Sequence, residues 1–200
     1  MTPLDEDDYI PDDRLLAAGE RVLSQLRDGA AAIDADPART SEWLDDAAAA
    51  VIGMACRAAG ADDGSVWLAD SSAEALVAVF SLRGEAGGLL GFRQPLSEGL
   101  VSMVFATEQP ICLGGVRGDP RHSGKADSRL GQETCAMIAV PLAFAGEVRG
   151  VISCVRLAGL PGGRRGDFSA DDLGFLRTAA NAARRLIDFR FITKPLGIAP

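Results

Sequence analysis

Apolar residues recur three and four apart in four segments of this chain, and the stretches between them read as short strands and turns. Leu15, Leu16, Val22, Leu23, Leu26 and Ile33 form one stripe, which predicts a helix over Asp13–Ala35 that ends before Pro37. Thr40 or Ser41 offers the N-cap of a second helix, with Glu42 in its first turn. Trp43, Leu44, Ala47, Val51, Met54 and Cys56 follow along it, and Gly60 ends it.

The period then changes. Residues 65–69 and 75–82 are short apolar runs of strand type, and Asp70, Ser71 and Ser72 between them predict a hairpin. Gly84, Gly87, Gly88 and Gly91 break the pattern. Ser97 offers the cap of a third helix through Leu100, Val101, Val104 and Phe105, stopping before Pro110, and residues 110–113 read as another strand. Residues 114–134 are polar and aperiodic, apart from a helical turn near 127–130. A loop that long in a compact domain is usually functional or disordered. Strands over 136–144 and 147–157 follow, joined by a tight turn at Ala145 and Gly146.

The last helix is marked most clearly. Ser169 caps it, Asp172 three residues on completes a capping box, and Phe168 can staple onto Leu173. Down its length Leu173, Leu176, Ala180, Ala183 and Ile187 have the spacing of a helix–helix seam. Phe175, Ala179, Ala182 and Leu186 form a second stripe, so one stripe can face the domain and the other a partner.

Composition narrows the class. With 48% apolar and 24% charged residues over 200, wholesale disorder is excluded and one domain is expected. No run approaches the roughly 18 apolar residues of a membrane-spanning helix. Residues 1–13 hold no Lys or Arg and no apolar stretch, so they are not a secretory signal, and the cytoplasm is the expected compartment. The net charge of −8 is concentrated in Asp5, Glu6, Asp7, Asp8, Asp12 and Asp13, which leaves 22 acids against 20 bases after residue 13. Residues 1–13 are therefore expected to be a disordered acidic tail, with a second tail over 191–200. Nucleic acid is not an expected partner, because phosphate binding needs clustered Lys and Arg, and Arg164-Arg165 is the nearest approach to a cluster.

Cys56, Cys112, Cys135 and Cys154 are far apart, none in a Cys-x-x-Cys, and His122 is the one histidine. That composition does not suggest a closed zinc site, and the apolar neighbours of these cysteines read as buried reduced thiols. No Gly-x-Ser-x-Gly marks a nucleophilic serine, so no catalytic residue and no metal ligand is assigned.

The order of elements and five segments resemble the GAF domain family of signalling sensors, over about residues 40–190. The segments are 99–110, Asp119-Pro120-Arg121-His122, 134–142, 146–151, and Phe168-Ser169 through Leu176. The resemblance implies an α+β fold, PAS-like, with an antiparallel sheet of five or six strands. Helices would pack on one face and a loop-covered pocket would lie on the other. The pocket cover would be the 97–107 helix and the 114–134 loop.

Within that frame the pocket candidates are Arg121, His122, Lys125, Asp127 and Thr134, with Phe92 or Phe105 as an apolar wall. The family's ligands differ from member to member, so the cofactor stays unknown and fold alone does not name it. A cyclic nucleotide is one alternative, since Arg121 and Lys125 could meet a phosphate. Against it, Gly124-Lys125 stands where the family's nucleotide binders have Asn-Lys. A covalent bilin lacks a cysteine beside His122, and haem would have that single histidine, so neither is expected. The rival of another class is a thiol-dependent reductase of free methionine sulfoxide, for which Cys112 and Cys135 flank the loop, without an activating neighbour. The third alternative is a ligand-free scaffold. The reading chosen is a non-enzymatic, stand-alone sensor that acts by contact with an unidentified signalling protein. Leu15, Val22 and Leu26 on the first helix (residues 14–36) and Leu173, Leu176, Ala180, Ala183 and Ile187 on the last (169–190) are expected to form a homodimer seam. No membrane partner is expected.

Overall fold

The computed structural model describes residues 13–35, 44–70, 74–159 and 166–193. In chain order the elements are helix α1 (Asp13–Ala35), α2 (Asp46–Ala58), strands β1 (Asp63–Asp70), β2 (Ala75–Ser81) and β3 (Arg93–Pro95), and α3 (Leu100–Thr107). Then come β4 (Ile111–Gly114), α4 (Lys125–Leu130), β5 (Thr134–Phe144), β6 (Glu147–Leu157) and α5 (Ala170–Thr193). The six strands form one antiparallel sheet in the order β3-β2-β1-β6-β5-β4.

Both faces of that sheet are covered, which is why its central strands are buried almost throughout instead of alternating with solvent. On the back, Val66, Leu68, Ile138, Val140, Leu142, Ile152 and Cys154 pack against Ile52 and Cys56 of α2 and against Leu176, Ala183 and Ile187 of α5. On the front, Trp67, Leu76, Ala78, Met137, Ala139 and Val151 pack under Leu100, Val101 and Val104 of α3, with Leu89, Phe92 and Val116. A bulge in β2 opposite Val66 and Trp67 turns both Val79 and Phe80 to the back. Gly64 lets α2 approach closely, since a Cβ there would overlap Cys56 Sγ. The Cys154 thiol in turn donates to Cys56 Sγ at 3.0 Å.

Local signals decide the ends of α5. The Asp172 N–H donates to Ser169 Oγ at 3.1 Å and the Ser169 N–H to Asp172 Oδ2 at 2.8 Å, the reciprocal bonds expected from that pair. Arg156, 5% exposed, joins this start to the end of α2. Its guanidinium donates to Gly166 O, Asp167 O and Ala59 O and lies 4.1 Å over the Phe168 ring.

Four local expectations change. The cap of α2 is Asp45, whose side chain accepts from the Ala48 N–H at 2.8 Å; Thr40, Ser41 and Glu42 lie outside the described residues, as do the acidic tail up to residue 12 and residues 71–73 of the hairpin turn. Gly99, at φ +89, caps α3 in place of Ser97, because the chain must turn there and a Cβ would stand 3.0 Å from Gln94 Nε2. Residues 114–134 are more structured than a loop, with a short 3-10 turn at Val116–Gly118 and the helix α4. The last helix runs on through residues 191–193, where a tail was expected, and residues 194–200 lie outside the described residues.

The larger correction concerns the seam. Leu176, Ala183 and Ile187 are 0%, 0% and 2% exposed, and Leu173 and Ala180 pack with them, all against this chain's own sheet and α2. A surface already occupied by the domain's core is not free for a second copy. On α1, Leu26 packs on the same cluster and Val22 is half-buried, while the side chain of Leu15 lies outside the described ones. The residues that do face solvent are Leu16 and Leu23 on α1 and Phe175, Phe189 and Ile192 on α5. No helix among the described residues is long and apolar enough to cross a membrane.

Candidate functional site

The front layer encloses a cavity of about 60 Å³ between the sheet and a cover made of α3, α4 and the chain around His122. Its floor comes from alternate positions of three strands: Asp63, Ser65 and Trp67 of β1, Ser153 and Val155 of β6, and Met137 of β5. Leu89, Leu100, Val101 and Leu130 supply apolar walls, and Gln94, Ser123, Asp127, Gln132 and Thr134 supply polar edges. The cavity has room for roughly four to six water positions.

Register brings the floor together. Ser65 and Ser153 are direct cross-strand partners, and their hydroxyl oxygens lie 2.9 Å apart. The Trp67 indole N–H donates to both, at 3.0 Å each. Two hydroxyl protons and one indole proton thus serve two oxygens. One hydroxyl donates to the other, and one hydroxyl proton is left over to face the cavity.

Asp127 closes the cover. Its Oδ2 accepts the Thr134 N–H at 2.8 Å, its Oδ1 accepts the Thr134 hydroxyl at 2.7 Å, and His122 Nε2 lies 3.2 Å from Oδ2. This ties α4 and the His122 segment to the first residue of β5. Burial acts most strongly on the Asp127 carboxyl and would raise it. The hydrogen bonds from His122 and Thr134 outweigh burial and hold the group below the ordinary carboxylate value.

Asp63 differs. It is 3% exposed, and Oδ1 accepts from the Gly64 N–H at 2.7 Å and the Ser81 hydroxyl at 3.4 Å. Among the described residues no cationic side chain makes an ion pair with it. The positive charge of Arg83 acts from farther off, with one Nη donating to Gln132 Oε1 at 3.2 Å. Burial pushes this carboxyl above its ordinary value, and the Gly64 N–H, Arg83 and Ser81 offset that only in part.

Of the residues picked from the sequence, His122, Asp127 and Thr134 meet at the cavity edge. Arg121 does not: it lies in an outer groove with Met103, and its guanidinium donates to both carboxylate oxygens of Asp119 at 2.9 and 2.6 Å. Those bonds hold the Asp119 carboxyl at about 2. Lys125 is exposed and pairs with Glu98. Phe92 stands behind the lining, edge-on to Trp67 at 6.2 Å with the Arg129 guanidinium over its ring at 5.5 Å, and Phe105 is half-buried on α3 outside the cavity. No cysteine lines the cavity. Cys112 turns to the back, where its thiol donates to Phe168 O at 3.4 Å, and burial with Asp172 and Asp167 nearby pushes that thiol up. No group of three metal-ligating side chains occurs among the described residues. Asp63, Ser65, Trp67 and Ser153 were not singled out from sequence, although the alternation of Asp63, Ser65 and Trp67 was its visible signal.

No curated protein is matched by sequence. Among solved structures, the fold is similar to the GAF domain of a phosphoenolpyruvate-protein phosphotransferase (ptsP) from Coxiella burnetii, with TM-score 0.62, 22% identity, and coverage of 88% of this chain and 97% of that one. It is similar also to the GAF-B domain of DevS from Mycobacterium smegmatis, with TM-score 0.54, 19% identity, and coverage of 74% and 98%. A third likeness is to a free methionine-R-sulfoxide reductase from Neisseria meningitidis, with TM-score 0.52, 17% identity, and coverage of 94% and 96%. At these identities the likeness concerns the fold. The family model of the GAF domain matches residues 44–187, and with the six-stranded sheet and its covered front cavity, this chain belongs to the GAF domain family.

Proposed function

We propose that the chain is a non-enzymatic sensor: a small molecule occupies the front cavity, and its presence is read through contact with another protein, first of all a second copy of this chain. The observation that carries the reading is the cavity, in which apolar walls from Leu89, Leu100, Val101 and Met137 converge with polar groups at Asp63, Ser65, Ser153 and Thr134. A concave apolar site with a few converging polar groups is the usual form of a ligand site. Its cover is held largely by side-chain bonds through Asp127, so a ligand that contacts the closed state better would shift the cover's equilibrium. The absence of every cysteine from the lining supports a binding role over thiol chemistry. The exposed Phe175, Phe189 and Ile192 of α5 and Leu16 and Leu23 of α1 are the apolar surface from which a contact output would be built.

The test is native mass spectrometry of the purified chain against its denatured mass, followed by a thermal-shift screen of a broad metabolite library. A discrete small adduct, or a compound that raises the melting temperature in a concentration-dependent way, is expected. A bare chain that no compound stabilises would sink the sensor reading.

A further inference from the structure

The charges around the cavity say what kind of molecule it takes. Its lining holds two carboxylates, Asp63 and Asp127, one histidine, and neither Lys nor Arg. Asp127 is matched by His122 and by both donors of Thr134. Asp63 is met by neutral donors alone: the Gly64 N–H and the Ser81 hydroxyl bond its Oδ1, the Arg83 backbone N–H also acts on it, and the Arg83 guanidinium contributes its charge only from farther off. The two cations that a phosphate would need, Arg121 and Lys125, are paired outside the cavity with Asp119 and Glu98. An anion placed here would sit against buried negative charge with no compensating partner. A cation would give Asp63 the partner it lacks.

Two further groups await a polar ligand atom. The Ser65–Ser153–Trp67 cluster has one hydroxyl proton to give, and Ser65 lies two residues from Asp63 on the same face of β1. On the cover, Ser123 Oγ is buried with no hydrogen-bond partner among the described residues.

We propose that the cavity binds a small protonated amine, an organic cation of a few non-hydrogen atoms whose ammonium group pairs with Asp63 while its carbon body lies against Met137, Leu100 and Val101. This rests on the sensor reading and narrows it. Phosphate-bearing ligands, cyclic nucleotides included, are excluded by charge, and the size of the cavity in this conformation points the same way.

The experiment uses three probes that share one carbon chain and differ in head-group charge: n-butylamine, 1-butanol and butyrate. Each is titrated into the full chain at neutral pH while the indole N–H resonance of Trp67, on the cavity floor, is followed by NMR. Trp43→Phe assigns that resonance, since the chain has two tryptophans. The amine is expected to bind about tenfold more tightly than the alcohol, and butyrate to bind least. Asp63→Asn, which keeps the shape and an acceptor for the Gly64 N–H, should bring amine and alcohol within about twofold of each other. Butyrate binding as tightly as the amine, or an amine preference that survives Asp63→Asn, overturns the assignment of charge and leaves the sensor reading standing. If none of the three moves the Trp67 resonance, the amine assignment fails, and the sensor reading is decided by the adduct and thermal-shift screen alone. The order of the three probes on the unsubstituted chain is decisive by itself, so the test does not depend on the variant folding.

Discussion

Asp127 on α4 accepts both hydrogen-bond donors of Thr134, the backbone N–H at 2.8 Å and the hydroxyl at 2.7 Å, so one side chain anchors the cover to the first residue of β5. With His122 as a third donor, the carboxylate is favoured in its charged form and titrates below the ordinary value in spite of burial. A group whose folded value is depressed contributes stability above its unfolded value, and that contribution fades as pH falls through the folded one. Asp127→Ala should therefore lower unfolding stability by about 1–3 kcal/mol at neutral pH. The deficit should shrink as acid protonates the native carboxylate. Urea titrations at neutral pH and near pH 3 measure both quantities, and an equal deficit at the two would contradict this account.

Asp63 carries the opposite sign. Burial raises its carboxyl, so the charged form costs the folded state stability at neutral pH, and the cost disappears below the unfolded value. The charged groups that face it are Arg83 alongside and Asp127 and His122 across the cavity. Asp63→Asn should raise the melting temperature at neutral pH and leave it near the parent's at low pH. A buried group that destabilises its own fold is what a site retained for a ligand looks like. Scanning calorimetry at two pH values decides it: a variant no more stable at neutral pH would remove this argument.

The sequence showed elements whose signals are local. The Ser169–Asp172 box is read within four residues, and its bonds form as read. The apolar runs of β5 and β6 and the aperiodic stretch between β4 and β5 were equally plain. Signals that depend on distant partners stayed hidden. Ser65 looks like one polar residue in a strand until pairing sets it opposite Ser153, 88 residues away. Arg121 looked free to meet a phosphate, yet Asp119, two residues earlier, takes its guanidinium. Neither stripe of the last helix announces which side meets the sheet, because Ala-rich faces are small enough to pack on either side. Only the placement of α2 and the sheet resolves that choice.

The thiols should separate by burial. Cys56 and Cys154 are 0% exposed, and the hydrogen bond to Cys56, reinforced by burial, pushes the Cys154 thiol well up. Cys112 and Cys135 are half-buried. A chromogenic disulfide reagent at neutral pH should leave Cys56 and Cys154 unmodified until denaturant is added. Cys112 should react faster as pH rises, since burial and the nearby Asp172 and Asp167 keep it protonated. Mass mapping of the labelled cysteines checks this, and rapid labelling of all four in the native protein would show that α2 does not cover the sheet as described.

The two stripes of α5 give the last and sharpest contrast. Ile187 is 2% exposed and lies between the sheet and α2, whereas Phe175, on the same helix, is 57% exposed. An aspartate at 187 buries an unpaired charge in the core, so Ile187→Asp should cost more than about 3 kcal/mol and lose cooperative unfolding. Phe175→Asp should leave unfolding within about 0.5 kcal/mol of the parent, as exposed substitutions do. If a second copy docks on the outer face of α5, Phe175→Asp and Phe189→Asp together should shift the sedimentation coefficient from dimer towards monomer while the circular dichroism spectrum is unchanged. A folded double variant whose dimer sediments like the parent's would remove that face from the interface. A stable, folded Ile187→Asp chain would instead return the buried stripe to consideration, because it would mean the residue is not part of the core at all.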